Sequence, residues 1–164
     1  MARQSYGAGV SLVADAALVG AAVATGLLGG VLLAFSSAAD RGLARLGDRA
    51  YVTGMQAVNV AILNPAFLAV FLGSPVLLVL AAALDRSAPA IAAAVVGVVG
   101  GTGVTAAVNV PLNDRLAVFA ADGADDAAVA AARAAYEVPW QRANRVRVLA
   151  CAVATGLVVV AALD

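Results

Sequence analysis

Residues 140–147 read WQRANRVR and residues 148–163 read VLACAVATGLVVVAAL, so an arginine-rich stretch leads straight into an apolar run without a charge. About 20 apolar residues, each rising ~1.5 Å in a helix, cross the hydrocarbon core of a bilayer, and the chain from Arg145 to Leu163 has close to that length. In a helix Trp140, Asn144 and Arg147 fall at i, i+4 and i+7. An aromatic ring, an amide and a guanidinium then share one face where the chain meets apolar surroundings.

Three more apolar runs precede this one, which gives membrane spans of about 12–35, 60–84, 88–110 and 145–163. The expected fold is all-α, a four-transmembrane-helix bundle forming a single integral membrane domain, with short surface helices in loops one and three. Composition agrees. The 164 residues are 63% hydrophobic and 12% charged, against roughly 45–50% and about 25% in soluble domains. Ten acidic and ten basic residues cancel, so no nucleic-acid partner is implied. With no histidine, His-ligated haem, His-bearing metal triads and Ser-His nucleophile pairs are all excluded. One cysteine, Cys151, allows neither an intrachain disulfide nor a CxxC pair.

Polar residues and backbone breakers punctuate the spans. Gln56 and Asn59 sit at i and i+3 in a helical pattern from Tyr51 to Leu63, which Asn64-Pro65 interrupts. Asp85-Arg86-Ser87 is a tight turn between spans two and three. Span three is expected to close at Asn109-Val110-Pro111-Leu112-Asn113, because Pro111 cannot donate to the carbonyl of Ala107. Asp125–Glu137 reads as a surface helix leading to span four. Gly26/Gly30 and Gly97/Gly101 are spaced as GxxxG, which permits close helix approach and a homo-oligomer through those faces.

Up-down topology brings scattered positions together. Span one ends, span two begins, span three ends and span four begins on one side, so Gln56, Asn59, Asn64, Asn109, Asn113, Trp140, Asn144 and Arg147 meet at one end of the bundle. The other end offers Asp15, Asp85, Arg86, Ser87 and Asp164. Loops one and three carry Arg41, Arg45, Arg49, Arg115, Arg133, Arg142, Arg145 and Arg147, while the opposite side carries Arg3 and Arg86. That asymmetry puts the polar end in the cytoplasm. The expected location is the bacterial cytoplasmic membrane. A guanidinium at the rim of the hydrocarbon must snorkel to lipid, pair, or meet an anionic ligand.

The motifs Met55-Gln56-Ala57-Val58-Asn59 with Ile62-Leu63-Asn64-Pro65, Asn109-Val110-Pro111-Leu112-Asn113, and Trp140-x-Arg142-x-Asn144-x-Val146-Arg147 resemble those of the DUF1772, anthrone oxygenase-like membrane family. The resemblance covers nearly the whole chain. It implies a membrane oxygenase that converts an anthrone-like aromatic polyketide to a quinone with O2 as co-substrate and no cofactor or metal. Its partners would be a lipophilic aromatic small molecule and membrane lipid. On that reading Arg147 stabilises an oxyanion, Asn144, Asn109 and Asn113 donate hydrogen bonds, and Trp140 is a stacking wall. Gln56, Asn59 and Asn64 face it. Glu137, Asp114, a substrate phenolate or a held water is the candidate proton acceptor. The alternative is a non-enzymatic four-helix protein that binds or carries a lipophilic molecule.

Overall fold

In the computed structural model, residues 2–163 are described, with side chains from Leu12 onward; Asp164 and the Arg3 side chain lie outside. Helix α1 runs Ala2–Ala34 and continues through a π-helical segment, Phe35–Ala39, into Asp40–Leu43. Helix α2 is Asp48–Ala61 and α3 is Pro65–Asp85. Helix α4 begins as Ala88–Gly97, passes through π segments Val98–Gly103 and Thr105–Asn109, and ends as Val110–Ala117. A 3-10 turn, Ala121–Gly123, precedes α5, Asp126–Leu163. No strand occurs among the described residues.

Four helices are long and apolar enough to cross a membrane: α1, α3, α4 and α5. Helices α1 and α4 each pack on both α3 and α5, closing the four into a ring. Large apolar side chains stay exposed all along the spans, Val19 at 61%, Val76 at 65%, Val99 at 65% and Leu149 at 65% among them. Such a surface suits lipid, so the chain is a membrane protein.

Local chemistry sets the boundaries. Asn64 caps α3: its Oδ1 accepts from Phe67 N at 3.0 Å, with Pro65 in the first turn. Ser87 caps α4 by accepting from Ala90 N at 3.3 Å, and Arg86 takes the left-handed conformation, φ 63°, that turns the chain. Inside the bundle Thr25 and Ser74 share a hydrogen bond of 2.9 Å. A Cβ added to Gly29 would lie 2.9 Å from the Cys151 Cβ, and one on Gly100 would lie 2.5 Å from the Ala150 Cβ.

Several expectations need correction. Span three does not close at Pro111; the backbone ladder ahead of it shifts to π register, with Val110 N bonding Thr105 O, and the helix continues to Ala117. The surface helix of loop three is not separate from span four, because Pro139 leaves α5 continuous over 38 residues. Of the GxxxG pairs, only Gly97 meets a neighbouring helix tightly, against Leu78 and Ala154. Gly26 and Gly30 are exposed, and nothing lies within 4 Å of where a Cβ on Gly30 or Gly101 would stand.

A 38-residue helix is about 57 Å long, roughly twice the hydrocarbon thickness. The surplus of α5 joins α2 and the end of α4 in a cap built on Tyr51, Val52, Met55, Leu116, Val129 and Tyr136. Two arginines tie it down. Arg133 donates to Ala44 O at 3.0 Å and Leu46 O at 2.9 Å, pairs with Asp48 and Glu137 at 3.0 and 2.7 Å, and lies over the Tyr51 ring. Arg49 donates to Ala121 O and Ala124 O and reaches Asp126.

Candidate functional site

Beneath the cap is a cavity of about 160 Å3. Its walls are mainly apolar, with Leu32 and Phe35 from α1, Phe67 and Phe71 from α3, and Trp140 from α5. Two of the π segments border it, one through Phe35 and the other through Thr105 and Asn109. Phe35 meets the Trp140 ring edge-on at 5.1 Å. Val31, Leu63 and Val110 line it yet are exposed, which leaves the cavity open at its rim.

Into this space project side chains that the protein does not satisfy. Asn109 is 1% exposed, and neither its Oδ1 nor its Nδ2 has a partner among the described residues. Arg147 is 6% exposed, with its Nε unpartnered and no ion pair among the described residues. Asn144 is fully buried. Its Nδ2 donates to Leu32 O at 3.2 Å and Ser36 Oγ at 2.6 Å, while its Oδ1 is left bare. A backbone carbonyl only accepts, so the amide orientation is fixed by chemistry. Asn144 therefore offers the cavity an acceptor, which corrects its expected role as a donor. Buried polar groups are nearly always paired, and leaving one unpaired costs about 1–3 kcal/mol, more when charged.

Trp140 and Asn113 are held by a short network. Asn113 Oδ1 accepts from Trp140 Nε1 at 2.9 Å and from Tyr136 Oη at 2.8 Å, and Tyr136 Oη accepts from Asn59 Nδ2 at 3.2 Å. Indole N–H can only donate, so the accepting atom of Asn113 is its oxygen and its amide nitrogen remains as a donor. Tyr136 was missed from sequence alone. Its i−4 relation to Trp140 was the available signal, since it puts both rings on one face of α5, where they stack at 6.3 Å.

Six of the eight expected site residues thus line one cavity: Asn59, Asn109, Asn113, Trp140, Asn144 and Arg147. Gln56 and Asn64 do not. Gln56 Nε2 donates to Leu116 O at 2.7 Å and Phe119 O at 2.9 Å, capping the carbonyl end of α4. Asn64 is exposed and spent on the cap of α3. Neither candidate acid reaches the cavity. Glu137 is paired with Arg133, and Asp114 is exposed, so no carboxylate is among the lining residues. Among the described residues no three acidic or cysteine side chains gather to hold a metal ion.

Residues 56–157, well over half of the chain, match the family model described as anthrone oxygenase. Comparison with curated proteins and with solved structures gives no match. The matched stretch contains Asn59, Asn109, Asn113, Trp140, Asn144 and Arg147, while Ser36 and the α1 wall of the cavity lie before it.

Proposed function

The chain belongs to the anthrone oxygenase family, and from that premise we propose that its cavity takes up a lipophilic anthrone-like compound and oxidises it to a quinone with O2, without a bound cofactor. The observation that carries the proposal is that Arg147 and Asn109, in a mainly apolar, aromatic-walled cavity, have no ion pair and no amide partner among the described residues. An anthrone supplies both halves of what they lack. Its fused rings suit Trp140, Phe35 and Phe67, and loss of one methylene proton leaves an oxyanion that a buried guanidinium and an amide N–H stabilise.

The chemistry then needs little more from the protein. The delocalised anion passes one electron to O2, the two radicals join at carbon, and the resulting peroxide anion takes up one proton from solvent and loses water to leave the second carbonyl. One O2 is consumed and one water formed per quinone. Arg147 holds the oxyanion, with Asn109 and the free amide of Asn113 as donors beside it. Asn144 accepts from a hydroxyl or water. A cavity of about 160 Å3 is close to the roughly 150 Å3 of an apolar site that admits benzene. A fused-ring compound therefore sits with one ring inward and the rest at the rim of Val31, Leu63 and Val110.

The test is aerobic incubation of the purified protein with several anthrones, following quinone formation and O2 uptake. The proposal expects acceleration over the uncatalysed rate at one O2 per quinone. No acceleration for any anthrone sinks it. Binding without turnover supports the second reading, a carrier of lipophilic aromatic compounds, which the absence of a carboxylate from the lining residues favours. The arginine asymmetry supports an orientation with the cap on the cytoplasmic side: Arg41, Arg45, Arg115, Arg142 and Arg145 are exposed on the cap side, against Arg86 opposite.

A further inference from the structure

The proposed oxidation must release a carbon-bound proton, yet the lining residues include no carboxylate to accept it. A second hollow lies next door. It is a groove of about 340 Å3 between the end of α1 and α5, lined by Ser36, Ser37, Asp40, Arg41, Gln141 and Arg145 among others. Ser36 joins the two spaces, since its Oγ accepts from Asn144 Nδ2 at 2.6 Å and Asn144 lines the cavity. Asp40 stands four residues beyond Ser36 on the same helix, 8% exposed, with its Oδ1 accepting from Gln141 Nε2 at 3.0 Å. Gln141 also reaches Glu137 Oε1 at 3.4 Å.

We infer that Asp40 is the proton acceptor of the reaction, acting through Ser36 from the groove beside the cavity. The inference rests on the oxygenase reading. The substrate C–H bond breaks with its electron pair left on the carbon and shared with the oxygen that faces Arg147. A water on the bare Asn144 Oδ1 takes the proton and passes it to Ser36 Oγ, whose own hydroxyl proton moves through water in the groove that both residues line to the Asp40 carboxylate. Asp40 returns it to solvent in the groove. A serine hydroxyl both accepts and donates, and Asn144 occupies one acceptor position on Ser36 while leaving its hydroxyl proton free to point at the groove. The other acids are worse placed. Glu137 is bound to Arg133, and Asp114 lines neither hollow.

Asp40 does not touch substrate, so its test must separate proton transfer from support of the fold. With wild-type protein turning over an anthrone, Asp40→Asn is expected to lower kcat about 100-fold. Quenching of the single Trp140 fluorescence by bound quinone should be unchanged. The deuterium isotope effect at the substrate methylene should rise, Asp40→Glu should retain most of the rate, and formate should restore Asp40→Ala. Wild-type kcat in Asp40→Asn overturns the inference. So does a loss that formate and glutamate both fail to repair with the isotope effect unmoved, which marks a structural role. If the wild-type protein turns over no anthrone, the oxygenase reading fails and takes this inference with it.

Discussion

Arg147 sets the terms at the scale of single residues. A guanidinium at the centre of a membrane helix costs roughly 2.5–3.5 kcal/mol to insert and less towards the rim, where Arg147 stands, and this one has no ion pair among the described residues to offset that cost. Replacing it with an apolar residue of similar reach therefore relieves the fold: Arg147→Met is expected to hold or raise the Tm, measured in detergent, even as it removes the ligand's counter-charge. Asn64 behaves oppositely. Asn64→Ala should cost about 1 kcal/mol through the lost cap of α3 and leave activity near wild type. Tyr51 gives a pH signature. Its buried hydroxyl has no partner among the described residues, and desolvation first, then Glu137, Asp40 and Tyr136, push its pKa above 10.0, against the pull of Arg133. The folded state then holds a proton that the unfolded chain releases, so stability is intact below pH about 10 and falls as pH rises beyond it. Tyr51→Phe should lessen that fall in an alkaline Tm series, Tyr136, whose pKa burial also raises, keeping the remainder.

At the scale of elements, the sequence made plain the features that depend on local pattern. The four apolar runs, the Asn64-Pro65 boundary and the turn at Arg86 each follow from hydropathy or from one residue's backbone chemistry. The face of Trp140, Asn144 and Arg147 follows from helical spacing alone. What stayed hidden depends on tertiary context. Pro111 reads as a helix end and Asp125–Glu137 as a surface helix of its own, but a π-register shift absorbs the proline and α5 runs unbroken through Pro139. Gln56 and Asn59 look alike in sequence, three residues apart. Only the approach of the α4 end decides that Gln56 caps carbonyls while Asn59 reaches Tyr136. Likewise Gly26/Gly30 carries the familiar spacing, whereas Gly29 makes the closer approach to α5. Gly29→Val is expected to destabilise the bundle by about 1–3 kcal/mol through overpacking, and Gly30→Val by much less, in parallel thermal melts.

At the scale of the molecule, a bundle packed with small residues at one end holds open a cavity at the other, beneath a cap clamped by Arg49 and Arg133. The orientation is checked by cysteine labelling. A membrane-impermeant maleimide should modify Arg86→Cys in intact cells but reach Arg45→Cys only after permeabilisation, the buried Cys151 staying silent. The central claim, that Arg147 and Asn109 together stabilise the oxyanion of a bound anthrone, is tested most directly by the rate of quinone formation in the Arg147→Met and Asn109→Ala proteins beside wild type. Loss of a single oxyanion donor typically costs about 100- to 1,000-fold in kcat, and a loss of that order is expected for Arg147→Met, with a smaller one for Asn109→Ala. Wild-type rates in both variants would contradict the account.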